Sequence, residues 1–197
     1  MTKLILRLLL ILPVFIFVAC GDDEDDVVFA PKPKGYMRIE FPEKKYKTYD
    51  SICPFTFEVP VYSVVERDKD PQSQPCWLNV KYPQFNAQLH LSYAGLNNDL
   101  RNYIETSRDL AYKHQVKASG LEQQVVIRDS AKVYGLVYDI AGNTACSMQF
   151  YVTDSTKHFM RGSLYFNVAP NIDSLQIVVD FLKKDIHHML QTTKWKN

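Results

Sequence analysis

Glycine is scarce in this chain, seven residues in 197, and no two of them sit at the spacing of a phosphate-cradling loop. His-Glu-x-x-His and Cys-x-x-Cys are both absent, so the sequence supports neither a zincin helix nor a zinc knuckle or thioredoxin-like redox pair. Charge of one sign is missing too: 23 Lys and Arg stand against 22 Asp and Glu, a formal charge of +1. That balance provides no basic field for nucleic acid. A membrane-spanning apolar run is also lacking. The longest, Leu8 to Val18, is interrupted by Pro13 and falls short of the roughly 20 residues a spanning helix needs.

What that short run does fit is export. Lys3 and Arg7 form a positive start, the apolar run follows, and Phe17-Val18-Ala19 leads small residues up to Cys20. Residues 1–19 are therefore read as a lipoprotein signal peptide, cut so that Cys20 becomes the first residue and carries the lipid. One acyl chain binds a bilayer only marginally, whereas several chains on one cysteine anchor firmly. The mature chain would then run from Cys20 to Asn197, and losing Lys3 and Arg7 takes the formal charge to −1.

Residues 20–50 read as the anchor and an extended tether. Residues 22–26 are five consecutive acids, which is a solvated linker or a sorting address for surface export. Pro31 to Tyr49 is rich in Pro, Lys and Tyr and is expected to be extended, free to lie along a partner or along the domain's own surface.

Residues 51–197 read as one globular α+β domain. Alternation predicts strands near 54–60, 76–82, 86–93, 124–129, 132–141, 145–153 and 158–168. A helix is expected over 97–115, with Leu96, Leu100, Tyr103, Ile104, Ser107 and Ala111 along its buried stripe. After Pro170 and Asn171, Asp173 or Ser174 can cap a last helix whose stripe is Leu175, Val178, Val179, Leu182, Ile186, Met189 and Leu190. The simplest architecture is one antiparallel sheet of about seven strands covered by these two helices.

With Cys20 lipidated, Cys53, Cys76 and Cys146 remain. Cys53 keeps alternate register with Phe55, Phe57 and Val59, and Cys76 with Leu78, Val80 and Tyr82, so a Cys53–Cys76 disulfide is expected in an oxidising compartment. Cys146 shares register with Met148, Phe150 and Val152 and reads as a buried free thiol.

Chemistry is hard to find. His187 and His188 look like a metal pair, but neighbours on a helix point roughly 100° apart and do not share an ion easily. His158 lies near Asp154 and Ser155, the residue types of a Ser/His/Asp set, without a nucleophile elbow or an oxyanion turn. Turn chemistry accounts for Asp154-Ser155. The expectation is no catalytic residue, no metal and no cofactor. The alternative is a small-ligand binder or hydrolase using His158, Asp154 and Ser155.

Five stretches carry a resemblance: PKPKGYMRIEFP (31–42), CPFTFEV (53–59), CWLNVKYP (76–83), QLHLSY (88–93) and HFMRGSLYFNVAPN (158–171). With them the chain resembles the gliding motility lipoprotein GldD family of Bacteroidetes over roughly residues 31–195. The resemblance implies a lipid-anchored envelope protein, most readily of the outer membrane, that serves gliding and the associated type IX secretion machinery without enzymatic activity or cofactor. Its partners would be the bilayer, through acylated Cys20, and other envelope proteins. At the level of fold the order of elements is similar to the Mog1/PsbP-like α/β/α sandwich, found in accessory proteins of membrane complexes.

Overall fold

The computed structural model describes residues 39–167 and 172–196. Cys20, the acidic run and the Pro170-Asn171 stop lie outside the described residues, as do the side chains of Asp173 and Ser174.

Seven strands form one antiparallel sheet in the order β3-β4-β5-β9-β8-β7-β6. They are β3 (Val64–Arg67), β4 (Leu78–Tyr82), β5 (Ala87–Gly95), β6 (Gly120–Arg128), β7 (Val133–Ala141), β8 (Cys146–Thr153) and β9 (His158–Phe166). A smaller sheet joins β1 (Tyr46–Tyr49), β2 (Phe55–Pro60) and β10 (Lys194–Trp195) in the order β1-β2-β10. The helices are α1 (Leu100–Tyr112) and α2 (Ile172–Thr192). The fold is α+β, with a seven-stranded antiparallel sheet and two helices, as the alternation predicts.

Strand membership differs from the expectation in an instructive way. The 54–60 segment belongs to the small sheet, and its place in the large one is taken by Val64–Arg67. This short strand shows no clean alternation because it lies half-exposed at the sheet edge.

The two faces of the large sheet are covered differently. On one face Leu89, Phe150, Val152, Met160 and Leu164 pack with Phe55 and Phe57 of β2 and with Val178, Leu182, Ile186, Met189 and Leu190 of α2. The i, i+4 spacing of those α2 residues is what aims them at the sheet, and each full burial contributes roughly 1.5–3 kcal/mol. On the other face α1 lays Ala111, Tyr103 and Ile104 against Tyr138, Tyr151 and Phe159. Among the described residues no helix is long and apolar enough to cross a membrane.

The compact unit begins at Ile39, so residues 39–50, assigned above to the tether, are part of it. Phe41 stacks on Phe181 with centroids 4.4 Å apart. Lys44 Nζ donates to Asp185 Oδ1 at 2.6 Å and to the Phe181 carbonyl at 2.9 Å. Asp185 is fully buried and also accepts from the Tyr46 hydroxyl at 2.9 Å and from the Tyr62 hydroxyl. Burial and the neighbouring carboxylate raise Tyr46 to about 12. A Lys- and Tyr-rich stretch that reads as solvated chain thus becomes the partner of a buried acid on α2.

Cys53 and Cys76 are joined as a disulfide with Cα atoms 5.6 Å apart. The two cysteines sit just before β2 and just before β4, so the bond links strands of two different sheets, not neighbours within one. Cys146 is free and fully buried, yet it does not share a face with Met148. A register shift between Cys146 and Met148 puts Cys146 opposite Tyr165 and Met148 opposite Leu164, on the other face. One extra residue in a strand flips every side chain before it.

Candidate functional site

The residues of the Ser/His/Asp alternative lie at the β8–β9 turn, and the turn itself uses most of their bonding capacity. Asp154 Oδ1 accepts from the backbone N–H groups of Thr156 (2.9 Å), Lys157 (2.8 Å) and His158 (2.8 Å), and Oδ2 accepts from the Thr156 hydroxyl at 2.8 Å. Partial burial works against its charge, but these four donors outweigh it and pull the carboxyl down to about 2. Ser155 has φ +68°, and its N–H donates to Thr153 Oγ1 at 2.9 Å. These are the bonds of a capped turn. Among the described residues neither side chain hydrogen-bonds the His158 ring.

His158 is buried at the start of β9. Its Nδ1 shares a hydrogen bond of 2.8 Å with the Tyr93 hydroxyl. Its ring lies on Trp195, with centroids 5.1 Å apart and planes at 10°. Burial lowers its pKa, Asp154 opposes that shift and Lys157 adds to it. Trp195 is in turn fixed by its Nε1–H, which donates to the Lys132 carbonyl at 2.9 Å.

Beside this ring pair opens a cavity of about 490 Å³. Asp154 and His158 line it, and Ser155 does not. Four cations, Arg128, Lys132, Lys157 and Lys194, surround it, with Asp154 the one acid. Arg128 is already engaged: its Nη1 donates to the carbonyls of Leu190 (3.0 Å) and Thr193 (2.7 Å), capping the C-terminal end of α2. The cavity suits an anionic group held by lysines. Among the described residues the His158 ring hydrogen-bonds the Tyr93 hydroxyl and no serine or cysteine, so no nucleophile is paired with it there.

The other candidates are equally occupied. His188 Nε2 contacts Glu58 Oε2 at 2.6 Å and its ring stacks on Tyr46 with centroids 3.6 Å apart, so it braces β1 and β2 against α2. No group of three or more metal-ligating side chains occurs among the described residues. Burial pushes the Cys146 thiol up to about 11, which removes it as a nucleophile at neutral pH.

One arrangement escaped sequence reading. On the α1 side of the sheet, Arg161, Ser163 and Tyr165 follow one another on β9, facing Ser92, His90 and Gln88 on β5 and Tyr151, Gln149 and Cys146 on β8. The available signal was the alternation Phe159, Arg161, Ser163, Tyr165, which places a cation in a central strand.

A search of solved structures finds similarity to the solution structure of cyanobacterial PsbP (CyanoP) from Synechocystis sp. PCC 6803, 12% identical, covering 78% of this chain and 95% of that one with a TM-score of 0.44. No curated protein matches. The family model described as gliding motility lipoprotein GldD matches residues 26–195, nearly all of the chain beyond its first apolar run, and the chain belongs to that family.

Proposed function

We propose that this protein is a lipid-anchored accessory of the gliding motility apparatus and of the type IX secretion machinery, acting by binding envelope proteins and not by catalysis. The observation that carries the reading is the family match over residues 26–195. The apolar leader ending at Cys20 supports acylation there, and the outer membrane is the proposed site of anchoring. The Cys53–Cys76 bond suits an oxidising envelope compartment.

The cavity beside His158 favours one narrower version of the alternative: a binder of an anionic group, without hydrolysis. Deletion of the gene in its source organism, followed by complementation, tests the main proposal. Wild type should restore surface spreading and secretion, and Cys20→Ser should leave the protein unanchored and both functions impaired. Full function from an unlipidated Cys20→Ser protein would contradict it. The binding version predicts that Lys132→Gln with Lys157→Gln weakens complementation while His158→Ala largely preserves it. The hydrolytic version predicts that His158→Ala alone abolishes function with folding and abundance unchanged.

A further inference from the structure

Among the described residues, Arg161 is a half-buried cation without a counter-ion. Its Nη2 donates to Gln149 Oε1 at 2.6 Å, a neutral partner, while its Nε–H has no acceptor. Among the described residues no carboxylate pairs with it. The groups whose negative form would favour its charge are Cys146 and Tyr165, and burial raises both, so both are neutral at neutral pH. Asp68 acts on His90 and not on Arg161, and its Oδ1 accepts from the Asp70 N–H.

A second orphan lies beside the first. Ser163, the next residue on that face of β9, is 2% exposed, and its hydroxyl has no partner among the described residues. His90 stands opposite Ser163 on β5 and is exposed. His114, just beyond α1, sets its ring edge-on to Tyr165 at 6.3 Å and feels the charge of Arg161. A guanidinium with no carboxylate partner among the described residues and a buried hydroxyl with no acceptor or donor each cost stability, and folded proteins retain such groups where something else compensates them. The α1 helix and its apolar cluster cover the Phe159 end of this face. Exposed His90 leaves the β5 side open.

We propose that the row Arg161, Ser163 and His90 is a binding site for a ligand bearing a phosphate or carboxylate group. The planar guanidinium, held in place by Gln149, supplies two parallel donors to the oxyanion, and the Ser163 hydroxyl supplies a third. The imidazole of His90 closes the open side. This site lies on the sheet face covered by α1 and is independent of both the family role and the cavity at His158.

Thermal melting of the full-length protein in detergent, titrated with inorganic phosphate or acetate at constant ionic strength, tests the assignment. Wild type should melt at rising temperature as either anion saturates the site. Arg161→Met should melt higher than wild type without anion, because it removes an uncompensated charge, and should lose the response. Should Arg161→Met fail to fold, Arg161→Lys keeps the charge without the fork and should raise the half-saturating concentration about tenfold. Dihexanoyl phosphatidic acid, kept below its micellar concentration, forms a second arm: a response to it alone identifies a lipid headgroup, and a response to inorganic phosphate identifies a soluble anion. No response to any of the three overturns the proposal. So does a response that survives Arg161→Met, and one that also falls with Lys157→Gln would move the anion to the cavity at His158.

Discussion

Gly162 separates Arg161 from Ser163 on β9, and its missing side chain makes room on the opposite face for Phe150. A Cβ at this position would stand 2.2 Å from that ring. Phe150 is central to the core and almost fully buried. Gly162→Ala should therefore cost about 1–3 kcal/mol through overpacking, read as a lower urea midpoint at unchanged slope. Asp154 carries a pH dependence. Its folded pKa, about 2, lies below the ordinary 3.8, so its stabilisation is present above roughly pH 4 and is lost as pH falls through about 2. Asp154→Asn should flatten the loss of stability across that window, by about 1–2 kcal/mol after allowance for solvent screening. A wild-type and mutant pair with parallel stability curves from pH 5 to pH 2 would show that the turn does not depend on the charge.

At the scale of elements, the segment 39–50 held against α2 is the feature with the clearest energetic consequence. Asp185→Ala strips Lys44, Tyr46 and Tyr62 of their shared acceptor at once. Because Lys44 remains partly exposed, the expected cost is about 3 kcal/mol, the lower end for breaking a buried pair. Lys44→Met combined with Asp185→Leu should recover part of it, since neither charge is then left alone. Denaturant unfolding of the three variants checks both statements. Reduction of Cys53–Cys76, which closes a loop of 23 residues in sequence separation, should lower stability by about 2–4 kcal/mol.

These same elements show what sequence periodicity can reach. Long half-buried strands such as β5 and β9 and the apolar stripe of α2 are legible because many residues repeat one period. Tyr46–Tyr49, Val64–Arg67 and Lys194–Trp195 are two to four residues long and largely half-exposed or exposed, too short for a pattern to emerge. Cys146 was misplaced by face because a bulge breaks the period that placed it. The Asp185 cluster joins residues some 140 positions apart, and local spacing carries no trace of such a contact. Of the candidate site, His158 and Asp154 were legible as neighbours. Their real partners, Tyr93, Trp195 and the turn's own N–H groups, were not.

For the whole molecule, the described residues form a domain whose histidines, cysteines and buried acids are almost all satisfied by structural partners. That leaves two positively charged features, the cavity ringed by Arg128, Lys132, Lys157 and Lys194 and the Arg161 row, on a protein whose formal charge is nearly balanced. Localised charge on a neutral body steers and orients a partner without general stickiness. Such a surface suits a tethered accessory of a larger envelope assembly. The central claim is that this family member works by holding envelope components. Crosslinking in intact cells, followed by purification of the lipidated protein from envelopes and identification of what is bound, tests it most directly. We predict recovery of gliding and secretion machinery subunits in equal yield with wild type and with a folded His158→Ala variant. Consistent absence of those subunits, or their loss in His158→Ala at unchanged melting temperature, would contradict it.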